Sequence, residues 1–234
     1  VHAIRLLEDD PLFNAGTGSR LQKDGQARMS AALIDSHQQQ LAGVINVEKV
    51  RHPIELAEYL NAERYPMLCG NEATQYARQL GIPEYNPVTP HRQQELAERR
   101  SGETGTVGAV AIDHDRIICA GTSTGGVGFE TPGRVSDSAT VAGTYASSQA
   151  GISCTGIGEH IVNHAVAARI VTRVEDGLTL ATALDKTITD ANLRRYQYGL
   201  IGLDHAGSWS VSQTRGITTL FAVYDGIQTT IFNQ

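Results

Sequence analysis

The chain has 234 residues, of which 41% are hydrophobic and 19% charged, and this length and composition are typical of one substantial globular domain. With a net charge of −6 at pH 7, no basic stripe points to nucleic acid, and no apolar run reaches membrane-spanning length. Three widely spaced cysteines, Cys69, Cys119 and Cys154, predict buried thiols in a reducing compartment, so we expect a cytoplasmic protein.

The first residues predict a helix end, a loop and a hairpin. Residues 1–7 are typical of the last turns of a helix, and without a start signal before them we expect an N-terminal segment to be missing. The loop over residues 8–18 begins with three acids, which are typical of a cation site or, more commonly, of a solvated helix end. A turn at Asp24-Gly25 then precedes two strands, over residues 27–34 and 41–47, that predict a hairpin.

Short helices and a linker follow the hairpin. Pro53 predicts the start of a helix over residues 54–60, and Asn71 predicts the cap of another helix that stops at Gly81. Residues 84–105 are polar, charged and nearly without apolar positions, so they predict a solvated linker.

The second half of the chain predicts denser structure. Residues 106–112 predict a buried strand paired with residues 117–123, and a strand at residues 152–154 leads into a long helix that Gly177 ends. One face of that helix would carry Ile161, Val162, Ala165, Val166, Ala168, Ile170 and Val171. Residues 178–193 predict another helix, and residues 199–203, 209–214, 219–224 and 227–232 predict strands. Two antiparallel halves with helices predict an α/β (α+β) fold of the αββα type, with helices outside two packed sheets.

The junction at Gly105-Thr106 joins the solvated linker to an apolar strand. Such a junction is a place where a chain can be cut, and a cut there would leave Thr106 with a free α-amine beside its own hydroxyl. The alternative interpretation is a polar loop that enters an ordinary strand.

Three later clusters also carry chemistry. The sequence TSTGG ends the strand paired with that of Thr106, so Thr124 can lie at the same sheet edge. Arg134 and Asp137 lie three residues apart in a Gly/Ser-rich loop, a pattern that can hold a free amino acid or form a surface ion pair. In SCTGIGE at residues 153–159, a hydroxyl and glycine N–H groups precede a helix, which suits an oxyanion hole or simply a tight turn.

Together with FNAGTGS at residues 13–19 and GTVGAVAID at residues 105–113, these clusters resemble the plant-type asparaginase (isoaspartyl peptidase) family of N-terminal nucleophile hydrolases. The resemblance implies one αββα domain that cuts itself into an α subunit, residues 1–105, and a β subunit, residues 106–234, which assemble as (αβ)₂. It implies hydrolysis of the side-chain amide of L-asparagine, or of β-aspartyl (isoaspartyl) dipeptides, through a β-aspartyl ester on threonine, with no catalytic cofactor.

The resemblance also assigns roles to individual residues. Thr106 would be the nucleophile, activated by its own α-amine. The other implied positions are Asn14 and Thr124 beside the nucleophile, Thr155 and the Gly156 N–H in the oxyanion hole, Arg134 at the substrate carboxylate, and Asp137 and Gly158 at its ammonium. Backbone carbonyls of Leu7, Glu8, Asp10, Phe13, Ala15 and Thr17 would bind a structural Na⁺.

The chain departs from the family pattern in two main places. A strand ending in HGGAG, usual at the start of the family, is absent, and SQTRGI at residues 212–217 replaces the usual FNTxGM. TSTGG and TGIGE favour the asparaginase type over glycosylasparaginases. A glycosylasparaginase, a taspase-like threonine hydrolase and an uncleaved, inactive homologue are the alternative interpretations.

Overall fold

The computed structural model describes residues 1–100 and 105–232 and is built around two main sheets packed face to face with helices outside them. The predicted αββα architecture is therefore confirmed. The predicted linker includes residues 101–104, which lie outside the described residues. None of the described helices is both long and apolar enough to cross a membrane.

The first sheet is built from the first half of the chain and the hairpin after residue 105. Its strands are β1 (Met29–Asp35), β2 (Ala42–Val47), β3 (Met67–Cys69), β4 (Val107–Ile112) and β5 (Ile118–Thr124), in the order β3-β2-β1-β5-β4. Both predicted hairpins, β1–β2 and β4–β5, are present, and only β3 runs parallel to its neighbour. The outer face carries α1 (His2–Asp9), α2 (Pro53–Leu60) and α3 (Gly70–Gln79), which enclose one hydrophobic core against it.

Two details of this half differ from the sequence prediction. Cys69, not Asn71, is the N-cap of α3, and no side chain caps that helix. Strand β4 lies at the edge of the sheet, where Val107 is buried but Ala111 is exposed, so the expected fully buried strand is an edge strand. Small residues suit this position because the other sheet packs closely against β4. The prediction of buried thiols is also wrong for Cys69, which is exposed.

The predicted linker contains a helix, α4 (Pro90–Ala97). Thr89 caps it by accepting a hydrogen bond from the Arg92 backbone N–H, and Pro90 fits the first turn, where a missing N–H leaves no bond unmade. Arg92 is only 5% exposed, so a buried arginine rather than an apolar stripe attaches this helix to the domain. The segment over residues 90–97 is therefore helical and anchored at Arg92, although most of its residues are exposed, as a solvated linker predicts.

The second sheet comes entirely from the second half of the chain. Its strands are β6 (Thr144–Ala146), β7 (Ala150–Gly156), β8 (Tyr198–Asp204) and β9 (Trp209–Gln213), all antiparallel in that order. Between β7 and β8 the chain forms helices α5 (Gly158–His164), α6 (Val166–Glu175) and α7 (Leu180–Leu193), and α6 and α7 enclose a second core against the sheet. Strands β10 (Phe221–Tyr224) and β11 (Thr229–Phe232) form a separate hairpin.

The single long helix predicted after residue 158 is broken in two. Ala165 adopts a left-handed conformation, with φ 49° and ψ 48°, between α5 and α6. Because this residue turns the second helix, Val162 and Ala165 are exposed, and His164 and Ala167 occupy the buried positions instead.

The two sheets meet through an apolar layer and a polar bridge. Ile34, Ile118, Ala120 and Ala146 form the apolar layer. Beyond it, the Thr122 hydroxyl on β5 lies 2.7 Å from Ser153 Oγ on β7 and 2.5 Å from Thr144 Oγ1 on β6. These buried hydroxyls satisfy one another, so they fix the relative position of the sheets without leaving unpaired polar groups.

Glu8 is an acid in the core rather than at a solvated helix end. Its side chain is fully buried, and Oε1 accepts hydrogen bonds from Ser123 Oγ at 2.6 Å and from the Ile54 backbone N–H at 3.1 Å. Burial, which disfavours the charged form, raises the pKa of Glu8 to about 8. Glu8 thus joins α1 to β5 and to the start of α2.

We expect Glu8→Gln to stabilise the protein more at about pH 8 than at about pH 5.5, because the pKa of Glu8 is higher in the folded than in the unfolded chain. The folded state then binds the extra proton between these pKa values, so Glu8 lowers stability as pH rises through that window. The measurement is the shift in thermal unfolding midpoint at each pH. Glu84→Gln, at an exposed carboxylate beside Lys49, should give equal shifts at both. Equal shifts for Glu8→Gln would contradict the expectation.

Candidate active site

The hydroxyls of Thr106 and Thr124 meet at one end of the β4–β5 hairpin. The register pairs Val107 with Ser123, which places the residue before β4 beside the last residue of β5. The two Oγ1 atoms are 3.1 Å apart, and Thr124 Oγ1 also accepts a hydrogen bond from the Gly126 N–H at 3.2 Å. The predicted meeting of these threonines at one sheet edge is therefore present.

Asn14 connects the N-terminal loop to both sides of this threonine pair. Its backbone N–H donates to the Gly105 carbonyl at 2.8 Å, and its carbonyl accepts from the Gly125 N–H at 2.8 Å. Its buried side chain donates from Nδ2 to the Gly126 carbonyl at 2.6 Å. Asn14 thus lies near Thr106, as the resemblance implies, and contacts the residues that flank both threonines.

Gly105 is the residue type that this contact requires. Its φ is +118°, and a Cβ added there would lie 2.7 Å from the Cβ of Asn14. Any larger residue would push the Asn14 loop away from the 105–106 peptide bond, in addition to straining the backbone.

A small pocket opens beside Thr106 between the two sheets. It is lined by Thr106, Gly108, Ser153, Cys154, Thr155, Leu200, Ile201, Thr219 and Leu220. The Oγ1 atoms of Thr155 and Thr219 are buried and, among the described residues, have no hydrogen-bond partner. Buried polar atoms without partners are uncommon, so these two hydroxyls are available to a ligand in the pocket. Thr155 was predicted here, whereas no sequence signal marked Thr219.

Arg134 and Asp137 meet around Gly158. A Cβ added at Gly158 would lie 2.7 Å from both Arg134 Nη2 and Asp137 Oδ1. Two side chains of opposite charge therefore face the same space. Gly158 begins α5, two residues after Gly156, which ends the strand that carries Thr155 into the pocket. Opposite charges facing a common space can hold the carboxylate and the ammonium group of a free amino acid.

Asp137 has the environment of a binding group rather than of a surface ion pair. Burial raises the pKa of this carboxyl to about 7, and the charge of Arg134 only partly offsets that effect. Its Oδ2 atom is buried and has no hydrogen-bond partner in the described part of the chain. A bound ammonium group would satisfy Asp137 and favour its charged form.

Glu159 is a site residue without an assigned role in the sequence prediction. Its Oε1 and Oε2 accept hydrogen bonds from Arg134 Nε at 2.7 Å and Nη2 at 2.9 Å. This bidentate pair fixes the plane of the guanidinium and leaves Nη1 outside the pair. In the sequence, Glu159 is marked only by its position directly after Gly158 in TGIGE.

The loop expected to hold Na⁺ presents neutral oxygen ligands. The carbonyls of Leu7, Glu8, Asp10 and Phe13 each accept one hydrogen bond, from Asp10 N, Thr17 N, Phe13 N and Arg92 Nη2 respectively. A carbonyl oxygen has a second lone pair, so these groups fit a hard cation in chemical kind. Within residues 1–100 and 105–232, no three His, Cys, Asp or Glu residues are grouped so that they could hold a metal ion.

Comparison with known proteins matches almost the whole chain. The family model described as Asparaginase matches residues 1–104 and 97–231. An isoaspartyl peptidase/L-asparaginase from Synechocystis is 46% identical over 226 residues, covering 88% of this chain and 69% of the relative. A plant-type L-asparaginase from Pyrococcus horikoshii is 34% identical over 252 residues, covering 97% and 82%. The isoaspartyl peptidase of Escherichia coli is 36% identical over 232 residues, covering 88% and 72%.

We expect Gly158→Ala to weaken the binding of L-aspartate about tenfold or more, because the added methyl group must displace Arg134 Nη2 or Asp137 Oδ1, the charged groups expected to hold an amino acid. Isothermal titration calorimetry measures the Kd. Gly133→Ala is the control, since it lies at φ +88° in the loop that carries Arg134 and Asp137 but its Cβ would meet no atom within 4 Å. An unchanged Kd in Gly158→Ala would show that Arg134 and Asp137 do not hold the ligand at this point.

Proposed function

This chain belongs to the asparaginase family of N-terminal nucleophile hydrolases, and we propose that it hydrolyses the side-chain amide of L-asparagine and the β-peptide bond of isoaspartyl dipeptides. The names of its relatives support both substrates. The observation that carries the proposal is the 3.1 Å approach of the Thr106 and Thr124 hydroxyls beside a pocket. That pocket also contains the Thr155 hydroxyl, which has no hydrogen-bond partner among the described residues.

We propose that the chain first cuts itself between Gly105 and Thr106. The Thr106 hydroxyl oxygen adds to the Gly105 carbonyl carbon, the C–N bond breaks, and the hydroxyl proton ends on the Thr106 nitrogen, which gives an ester. Water then hydrolyses the ester to a Gly105 carboxylate and a free Thr106. The products are an α subunit, residues 1–105, and a β subunit, residues 106–234.

Hydrolysis of the substrate uses the amine that self-cleavage releases. The α-amine of Thr106, whose unperturbed pKa is about 8, accepts the hydroxyl proton as the oxygen attacks the side-chain carbonyl. Thr155 Oγ1 and the Gly156 N–H stabilise the oxyanion. Ammonia or an amino acid leaves with that proton, and water releases L-aspartate from the Thr106 ester. Thr124 donates a hydrogen bond to the nucleophile throughout.

The groups around Gly158 orient the substrate for this attack. Arg134 binds the α-carboxylate, while Asp137 and the Gly158 carbonyl bind the α-ammonium group. Holding both ends of the amino acid leaves only its side chain free to enter the pocket beside Thr106. A reaction between positioned groups avoids most of the entropy cost of bringing them together.

Three further features belong to the same proposal. A Na⁺ ion would bind the carbonyls of the loop at residues 7–17 and brace the loop that carries Asn14, with no direct part in the reaction. Two αβ units would assemble as (αβ)₂, which the mass in solution tests. The enzyme would work in the cytoplasm.

We expect Thr106→Ala to remain a single chain without hydrolytic activity, because both reactions need the hydroxyl. Thr106→Ser keeps a hydroxyl and an α-amine and should still give two fragments and measurable ammonia release. Denaturing electrophoresis and an ammonia assay with L-asparagine measure the two outcomes. Two fragments from Thr106→Ala would refute the proposed cleavage, and an uncut, inactive wild-type chain would instead indicate a non-catalytic homologue.

We expect KM to rise as pH falls below about 7, because the raised pKa of Asp137 leaves its carboxyl protonated there and unable to pair with the substrate ammonium. Substrate binding requires ionised Asp137, so kcat/KM falls as the pH is lowered, whereas kcat, which is measured at saturating substrate, changes less. In Asp137→Asn the KM should be high at every pH and lose this dependence. An Asp137→Asn variant with the wild-type pH profile of KM would contradict the assignment.

A further inference from the structure

Arg92 is a buried cation that the proposed hydrolysis does not use. From helix α4 its side chain donates from Nε to the Gly18 carbonyl at 2.5 Å, from Nη2 to the Phe13 carbonyl at 3.2 Å and from Nη1 to Glu95 Oε2 at 2.8 Å. Removing a guanidinium from water is unfavourable unless its donors are satisfied, and here one carboxylate and two backbone carbonyls satisfy them. Two of the three partners belong to the loop that surrounds Asn14.

The Phe13–Asn14 peptide group links Arg92 to the bond proposed to be cut. Arg92 binds the carbonyl of this peptide group, and the N–H of the same group donates to the Gly105 carbonyl at 2.8 Å. Hydrogen bonds in such a chain polarise one another, so a cation at the carbonyl end makes the N–H a stronger donor. The acceptor at the other end is the carbonyl that Thr106 would attack.

We propose that Arg92 is a positioning residue for self-cleavage, which fixes and polarises the Phe13–Asn14 peptide as the hydrogen-bond donor to the oxyanion on Gly105. This inference rests on the proposed self-cleavage. When Thr106 Oγ adds to the Gly105 carbon, the carbonyl electron pair moves onto the oxygen. It returns when the C–N bond breaks, and the hydroxyl proton ends on the released amine. A donor already aimed at that oxygen stabilises the intermediate between these steps.

The charges around Arg92 support an electrostatic role. Glu95 is shared, because Arg20 Nη2 also lies 3.6 Å from its Oε1. Although burial of Glu95 raises its pKa, the hydrogen bond from Arg92 and the charges of Arg20 and Arg92 hold the pKa below its usual range, so Glu95 is ionised. Two guanidinium groups therefore share this one carboxylate next to the Asn14 loop.

The proposed role of Arg92 ends when the bond between Gly105 and Thr106 is cut. Afterwards Gly105 is a chain end, and the carbonyl that accepted the Asn14 N–H no longer belongs to a peptide bond at the nucleophile. We therefore expect Arg92 to affect the rate of self-cleavage but not the rate of hydrolysis per mature Thr106. A residue needed only for correct folding would affect both.

The first test compares the full-length chain with its Arg92→Ala variant after cell-free synthesis, with samples denatured at successive times. We expect self-cleavage to slow about tenfold or more, since loss of an oxyanion donor itself slows enzymes about 100-fold or more and Arg92 acts on the donor indirectly. Hydrolysis of L-asparagine per fragment beginning at Thr106 should stay within about threefold of wild type. Thr89→Ala is the matched control, because it removes the cap of α4 without touching the Phe13 carbonyl, and it should cleave within about threefold of wild type.

The second test separates charge from shape. Guanidinium and urea have nearly the same size and planar donors, but only guanidinium is charged. Guanidinium chloride should speed self-cleavage of Arg92→Ala at concentrations that leave the wild type unaffected, and urea should not. If Arg92→Ala does not fold, Arg92→Lys replaces it in the test. The Arg92→Lys chain should cut itself slowly, because the compact ammonium of lysine lacks the planar fork that reaches the carbonyls of Phe13 and Gly18.

Each remaining outcome overturns the inference. Wild-type cleavage rates in Arg92→Ala, equal slowing in Thr89→Ala, or equal rescue by urea would each show that the charge of Arg92 does not act on the bond. A wild-type rate in Arg92→Lys would show that the planar fork of Arg92 does not position the Phe13–Asn14 peptide. In those cases an uncut Thr106→Ala chain would leave the proposed function standing. A wild-type chain that never cuts itself would remove both.

Discussion

The candidate site depends on the contact between Asn14 and Gly105. Through one peptide N–H, one carbonyl and one amide side chain, Asn14 holds the residue before Thr106 and the turn after Thr124 in a single arrangement. Only glycine fits at position 105, because its φ is positive and its Cα lies against Asn14. The residues beside Thr106 and Thr124 are thus fixed mainly by backbone hydrogen bonds, which substitutions of most side chains would leave intact.

The two sheets place the remaining groups around this contact. Antiparallel pairing of β4 with β5 aligns the two threonines, and the packing of β7 against them carries Thr155 into the same pocket. Buried polar pairs fix the elements where apolar contacts alone would allow sliding: Thr122 with Ser153 between the sheets, and Glu8 with Ser123 between α1 and β5. The groups expected to bind the substrate then follow from the turn at Gly156 and Gly158.

Apolar periodicity and turn residues predicted the parts of the fold that depend on local pattern. The hairpins, α1, α2 and the αββα layers follow from alternating or continuous apolar runs with Gly, Asn and Pro between them. Features held by charge were not predictable in this way. Helix α4 has few apolar positions and is attached through Arg92. Glu8 resembles its half-buried neighbours Asp9 and Asp10 in charge, although it is fully buried. The break at Ala165 was also hidden, because alanine favours helices and its left-handed conformation follows from tertiary packing.

The same limit applies to the site. Short glycine and hydroxyl motifs marked Thr106, Thr124, Thr155, Arg134 and Asp137, because such motifs are local in sequence. Thr219 and the bidentate role of Glu159 come from contacts between distant segments that no single motif contains. The most direct test of the whole account is the intact mass and N-terminal sequence of the purified protein's components. The account predicts two fragments, one of which begins at Thr106, and a single uncut chain, or a cut at another bond, would contradict it.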